Sequence, residues 1–335
     1  MSEKKSFMEK IPFLGKSGKK SFMAEMRSGN KVYREKVDWA TWKRRNLNLN
    51  GLGKFIWMIL RFVIIVGIAY MILYPFFVKM VVAFSSTEDI VDNTVMYIPR
   101  QGSTYFIERS MLNMNYWTSF GTTVLLSVVV AVCQLFVACV AGYGFARFKF
   151  RGKDLLFLAV MLTLMIPAQT IQLPLYIRFA NFLGMDISLT NTIWPLTIMS
   201  ATGLGLKNGL YIYLMRQFFR GLPKELENSA YIDGAGFFRT FFSIMLPNAA
   251  NMMITVFLFA FTWQWTDTTY NSMLMPDMDL LANKASMVAS SIEDEAQIAA
   301  INDTACLLII FPLLIVFLFA QRYFIQSIER SGLVE

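Results

Sequence analysis

ELENSAYIDGAGFFRTFFSIMLP, residues 225–247, is a polar segment set between two long apolar runs. Pro223 suits the start of a helix, since its missing N–H falls among the first-turn donors that have no intrahelical partner. Residues 224–232 then read as a short amphipathic helix, with Leu226, Ala230 and Tyr231 on one face. Asp233-Gly234 is a turn signal, because glycine accepts positive φ. A second helix follows through Arg239-Thr240-Phe241-Phe242 and reaches Leu246-Pro247. The stretch predicts a helix–turn–helix projecting from one face of whatever the apolar runs cross.

Composition says what they cross. The chain has 335 residues, 56% of them hydrophobic and 15% aromatic, with a mean hydropathy of +0.47; soluble domains sit near about 45–50% apolar. The excess lies in runs of about 20 residues, the length that crosses a bilayer. Six such spans are expected, at about 55–78, 122–146, 155–177, 193–215, 241–266 and 305–324. The fold class is thus an all-α membrane protein, a six-helix bundle. Histidine is absent, which excludes histidine metal sites, proton relays and triads. Cys133, Cys139 and Cys306 all lie in apolar runs, where thiols act as small hydrophobes. No cofactor motif, catalytic set or metal-ligating set is read.

Charge orients the spans. The first 50 residues hold 13 basic and 5 acidic side chains and so carry the whole net charge of +8; the rest has 18 of each sign. Arg147, Lys149, Arg151 and Lys153 link spans two and three, Arg216, Arg220, Lys224 and Arg239 link four and five, and Arg322 and Arg330 follow span six. Opposite lie 85–121, 178–192 and 267–303, the last with seven acidic residues against Lys284 alone. By the positive-inside rule both termini and the 225–247 segment are cytosolic. Two regions are expected: a basic tail over 1–52, with an interfacial helix around Trp39, Trp42 and Lys43-Arg44-Arg45, and a six-span domain over 53–335. The tail lacks the apolar core of a signal peptide, and no aromatic-basic module follows it, so anionic lipid and not nucleic acid is its expected partner.

The spacing Asn228-Ser229-Ala230, then Gly234, then Ile244-x-Leu246-Pro247 resembles the EAA loop of binding-protein-dependent ABC importer permeases. The resemblance extends to Met215-Arg216-Gln217-Phe218-Phe219, to Leu222–Glu227, to Gly144–Phe148, to Met165-Ile166-Pro167-Ala168-Gln169 and to Gln321-Arg322-Tyr323-Phe324, over some four-fifths of the chain. It is nearest to the second permease of maltose-type and other oligosaccharide importers. It implies the type I importer fold, with a cytosolic coupling helix gripped by an ATPase. The residues implied in that coupling are Glu225, Glu227, Asn228, Ser229, Ala230, Asp233, Gly234, Ala235, Leu246 and Pro247. The partners implied are a second, homologous permease forming a heterodimer, two ATPase domains and an extracytoplasmic solute-binding protein. The implied location is the cytoplasmic membrane of a prokaryote. The chain departs from the family at Asn228, where a glutamate is usual; an asparagine supplies no charge there.

Polar side chains in spans are expensive and often line a pathway. Gln134, Gln169, Gln172, Asn248, Asn251, Trp263, Gln264 and Trp265 are candidates, since amides bond hydroxyls and aromatic faces stack on sugar C–H surfaces. Hydrogen bonding between helices is the alternative for each. Lys207 sits in the glycine-interrupted stretch 203–209. It either faces the pathway, favouring an acidic sugar such as a uronate, or snorkels to the outer interface. Pro167, Pro174 and Pro195 either kink helices or take part in gating. The Met-rich loop 267–303 suits either a binding-protein contact or a lid packed on its own bundle.

No G-x-x-x-x-G-K-[ST] loop occurs, so ATP hydrolysis belongs to a partner and the chain is read as a transport subunit, not an enzyme. The expected function is that of an ABC importer permease for a sugar or oligosaccharide. An importer of a different solute, such as an amino acid derivative or peptide, is the alternative within transport. A membrane-embedded enzyme and a scaffold or receptor subunit are the alternatives outside it.

Overall fold

The computed structural model describes residues 49–332 apart from 93, 96 and 291. Residues 1–48 of the tail, with the interfacial helix expected at Trp39–Arg45, lie outside the described residues. Among the described residues every regular element is helical. The chain divides into two compact units, Met1–Leu73 and Tyr74–Glu335.

The described part of the first unit is the leading portion of helix α1, Leu49–Ala83. Residues 53–73 are all exposed and almost all apolar. A helix that is hydrophobic on every side is stable in lipid and not in water.

The second unit is built round α3, Tyr116–Arg147, which packs against α7 (Asn208–Gly221), α11 (Ala250–Thr266) and α6 (Trp194–Ala201). Small residues let it do so. Ala131, Ala138 and Gly142 are buried on α3, and a Cβ at Gly142 would fall 2.6 Å from Met215 Cβ and 3.0 Å from the Arg216 nitrogen. Close backbone approach of this kind drives helix pairing in membranes, where water supplies no hydrophobic force. The last helix, α14 (Glu295–Gly332), packs on α11 and on the short α2 (Tyr105–Asn113).

Among the described residues three uninterrupted helices are long and apolar enough to cross a bilayer, Gly53–Ala83, Tyr116–Arg147 and Glu295–Arg322. They contain the first and second expected spans and most of the sixth. The runs expected as the third, fourth and fifth spans are each interrupted. Over 155–177 the chain forms α4 (Lys153–Leu162) and α5 (Ala168–Ala180). Pro167 sits at the break as the N-cap of α5; proline has no N–H to continue a helix and turns the preceding residue away from helical backbone. Over 193–215 the chain forms α6 and α7, separated at Gly203 (φ +85°) and Lys207 (φ +59°). The fifth run is bent by 76° between Phe237–Asn248 and Ala250–Thr266.

Segment 267–303 packs on its own unit through α12 (Thr269–Leu274) and α13 (Leu281–Met287). Leu274, Met275, Leu280, Leu281 and Val288 are buried, and the Leu281 N–H donates to Thr123 Oγ1 of α3 at 2.9 Å. Of the two expectations for this loop, the lid packed on its bundle matches these contacts.

Candidate functional site

The 225–247 segment folds as α8 (Glu225–Ile232), a turn, α9 (Phe237–Thr240), one π-helical turn (Phe241–Met245) and α10 (Leu246–Asn248). Glu225 and Glu227 lie in the first turn of α8, where carboxylates suit the partial positive charge of a helix N-terminus. The turn is closed by the Ala235 N–H donating to the Ala230 carbonyl at 2.9 Å. Gly234 holds φ +76°, a conformation that costs a residue with a Cβ about 1–2 kcal/mol. Pro247 lies in the first turn of α10, where its lack of an N–H is tolerated.

One face of α8 is clamped to the end of α3. The Tyr143 hydroxyl donates to Glu227 Oε1 at 2.7 Å. Arg147 Nε lies 3.4 Å from Glu227 Oε2, with both side chains about nine-tenths buried. The Arg147 guanidinium also donates to the Leu222 carbonyl at 2.7 Å, fixing the chain just before α8. Phe148, Phe219, Phe237 and Phe241 pack edge-on or tilted around the Tyr143 ring. The buried face of α8 therefore carries Glu227 and Ala230, with Leu226 partly covered. Tyr231, expected on that face, is exposed, because the carboxylate takes the inward position beside Arg147.

The opposite face is open. Glu225, Asn228, Ser229, Tyr231, Ile232, Asp233 and Gly234 are exposed and Ala235 is half-buried. Ile232 reaches 86% exposure and Phe238 72%. Asn228, at the usual glutamate position, makes no contact that the clamp depends on. Tyr143 and Arg147 were not among the expected site residues. Their spacing of four on α3 put them on one helix face, but nothing in the sequence named Glu227 as their partner.

The expected pathway residues separate into two groups. Gln134 is buried and donates to the Leu206 carbonyl at 3.1 Å. Gln264 is buried and donates to Asn271 Oδ1 at 3.1 Å. Trp265 is buried, with its indole N–H on the Ile309 carbonyl at 3.1 Å. These three join elements within the bundle. Gln169 is exposed and Gln172 half-buried on α5, Asn251 is half-buried at the start of α11, and Asn248 is exposed with its amide on the Ile244 carbonyl. Lys207 and Trp263 come together, the ammonium 5.1 Å from the ring centroid, within cation–π range. Lys207 also lines a cavity of about 530 Å3 with Arg178, Tyr270 and the buried Asn208, whose carboxamide has no hydrogen-bond partner. It lies between the breaks of the third and fourth runs.

Asp267, just past α11, accepts the backbone N–H groups of Tyr270 and Asn271 at 3.1 Å. Burial nevertheless lifts its carboxyl to about 6. Among the described residues no group of three or more acidic or cysteine side chains is placed to hold a metal.

Helices of spanning length, broken apolar runs and an α8 clamped on one face and exposed on the other fit a membrane permease. Residues 134–330 match the family described as binding-protein-dependent transport system inner membrane component, and the chain belongs to that family. It is therefore a permease subunit of an ABC importer. The chain is 26% identical over 276 residues to the arabinooligosaccharides transport system permease protein AraQ of Halalkalibacterium halodurans, covering 79% of this chain and 92% of that one. It is 30% identical over 277 residues to the sn-glycerol-3-phosphate transport system permease protein UgpE of Pectobacterium atrosepticum, covering 80% and 94%. It is 25% identical over 217 residues to the maltodextrin transport system permease protein MdxG of Bacillus subtilis, covering 65% and 75%. The fold is similar to a chain of a bacterial ABC transporter involved in the import of the acidic polysaccharide alginate, with a TM-score of 0.68 at 19% identity over 81% of this chain and 98% of that one.

Proposed function

We propose that this permease carries a sugar or oligosaccharide across the cytoplasmic membrane of a prokaryote and couples to its ATPase through residues 225–247. The observation that carries the coupling role is the two-faced α8. Tyr143 and Arg147 fix its inner face through Glu227, while Glu225, Asn228, Ser229, Tyr231 and Ile232 stand free. A short helix rigidly joined to a spanning helix transmits displacement; a loosely tethered one absorbs it. Ala230 anchors α8, Asp233, Gly234 and Ala235 form the turn, and Leu246 and Pro247 carry the motion into α11.

The proposed orientation rests on the loop charges, and the proposed partners on membership of the family. Six spans, with both termini and α8 in the cytosol, satisfy the positive-inside rule at every link. A second, homologous permease completes the pathway, and a binding protein delivers solute to the acidic outer face. The chain itself performs no chemistry. ATP closure of the partner selects between inward- and outward-open states. Lys207 and Trp263, with Gln169, Gln172 and Asn251, are the proposed solute contacts, while Gln134, Gln264 and Trp265 support them through the bundle. Names of the relatives AraQ and MdxG favour a sugar. The relative UgpE favours a second reading, a small phosphorylated solute.

The test is the ATPase activity of the complex with its companion permease and ATPase, against a panel of loaded binding proteins. Stimulation by a sugar-loaded protein is expected, lost in Gly234→Pro or on deleting 225–236 while membrane insertion persists. Normal stimulation in either variant would sink the coupling role, and stimulation by a phosphorylated solute alone would select the second reading.

A further inference from the structure

Arg147, Lys153, Arg216, Arg220 and Lys224 line one cavity of about 500 Å3, in which Asp154 is the only acidic lining residue. Three elements supply the basic groups: the end of α3, the start of α4, and the last turns of α7 with the residue before α8. Arg147 is answered by Glu227. Lys153 donates to the neutral carbonyl of Phe148. Among the described residues no carboxylate lies within ion-pair distance of Arg216, Arg220 or Lys224.

Arg216 is the most constrained of the five. Its guanidinium lies 3.9 Å from the centroid of the Phe157 ring, and its Nε is buried with no hydrogen-bond partner. Burial and then the charge of Arg220 disfavour its ionised form, with Asp154 opposing. Five basic side chains round a cavity lined by one carboxylate, Asp154, leave an excess of positive charge that an anion relieves.

The surroundings say which anion. Phe145 contacts both Phe150 and Phe157, and Phe157 stacks on Tyr213, forming an aromatic layer against the basic groups. Beside it, Leu155 and Leu158 of α4 are 71% and 53% exposed. These leucines begin the third expected span, so the cations and the acyl region of the bilayer meet at this cavity. A phospholipid satisfies both, and basic pockets between spanning helices on the cytoplasmic side are sites for acidic headgroups.

We propose that this cavity holds the phosphate of an anionic phospholipid whose acyl chain lies along Leu155 and Leu158. The site rests on the orientation proposed above, which puts this end of the bundle at the inner leaflet. It seats a lipid headgroup next to the clamp that holds α8.

The assembled importer, in nanodiscs of phosphatidylcholine with a minority of phosphatidylglycerol, is extracted and its bound lipid measured by native mass spectrometry. Phosphatidylglycerol is expected to be retained in preference. Arg216→Gln and Arg220→Gln should each reduce retention by about fivefold, while Arg216→Lys keeps most of it. Should Arg216→Gln fail to assemble, Arg220→Gln, an exposed position, carries the measurement alone. Retention equal to wild type in Arg220→Gln with Lys224→Gln would overturn the site. Displacement by inorganic phosphate with no preference between the lipids would make the ligand a free anion and overturn the lipid. Retention confined to permeases stripped of the ATPase would assign the cavity to that partner's carboxylates, with the same result. Labelling of Lys224→Cys by an impermeant reagent outside intact cells would strike the orientation separately, whatever the lipid measurement gives.

Discussion

The hydroxyl of Tyr143 donates to Glu227 across a sequence separation of 84 residues, and Arg147, one helical turn further on, faces the same carboxylate. The contact joins α8 to the helix round which the second unit is built. Removing one partner of a buried pair leaves an uncompensated charge and costs about 3–5 kcal/mol, more than removing both. Glu227→Ala should therefore lower the thermal stability of the purified permease markedly and suppress transport. Glu227→Leu combined with Arg147→Met should recover much of the stability and little of the transport. Thermal unfolding read beside solute-stimulated ATPase separates the two. Equal recovery of both would mean that the clamp serves folding alone.

Gly142 marks the closest approach of α3 and α7, where a Cβ would overlap Met215 and the Arg216 backbone. Gly142→Ala should cost about 1–3 kcal/mol, the range for overpacking a tight contact. Gly121→Ala, on the same helix with open space round the added carbon, should cost nothing measurable. Stability of the two variants in one detergent is the comparison, and matched values would contradict the close packing.

Lys207 stands over Trp263 beside a cavity that also contains Arg178. If its ammonium meets the solute, Lys207→Ala should reduce uptake of an acidic oligosaccharide by about tenfold, the equivalent of 1.4 kcal/mol. Uptake of the neutral analogue should change far less. Equal loss for both solutes, or no loss for either, would leave Lys207 as an interfacial side chain.

Burial holds the Asp267 carboxyl near 6, above the ordinary value of 3.8. A raised acid binds its proton more tightly in the folded state than in the unfolded one. Its contribution to stability is thus full below about pH 4 and is lost as pH rises through about 6. Asp267→Asn keeps an oxygen to accept the Tyr270 and Asn271 N–H groups and removes the titration. Between about pH 4 and 6 the variant should show a flatter stability profile than the parent. An unchanged slope would assign it to another group.

Much of the local fold of this segment was readable along the chain because its signals are local. Asp233-Gly234 marks the turn through the φ that glycine alone adopts freely, and Pro167 and Gly203 mark breaks through backbone chemistry that any neighbour would leave in force. What was hidden depends on partners distant in sequence. Glu227 looks like a solvent-facing carboxylate until α3 brings Arg147 to it, and Tyr231 fits an apolar stripe until that ion pair turns the helix. Gln264 and Trp265 have the composition of a sugar site, yet their hydrogen bonds go to Asn271 and Ile309. The fifth run was read as one span across Pro247, and neither the bend after Asn248 nor its angle was legible.

That angle has a mechanical meaning. With arms of 12 and 17 residues meeting at 76°, the segment from Phe237 to Thr266 is a bell-crank. A thrust along the short arm would act mainly across the long one, so under the proposed coupling it would swing α11 sideways more than slide it. The elbow at Ala249 would thus exchange a piston stroke for a rocking stroke.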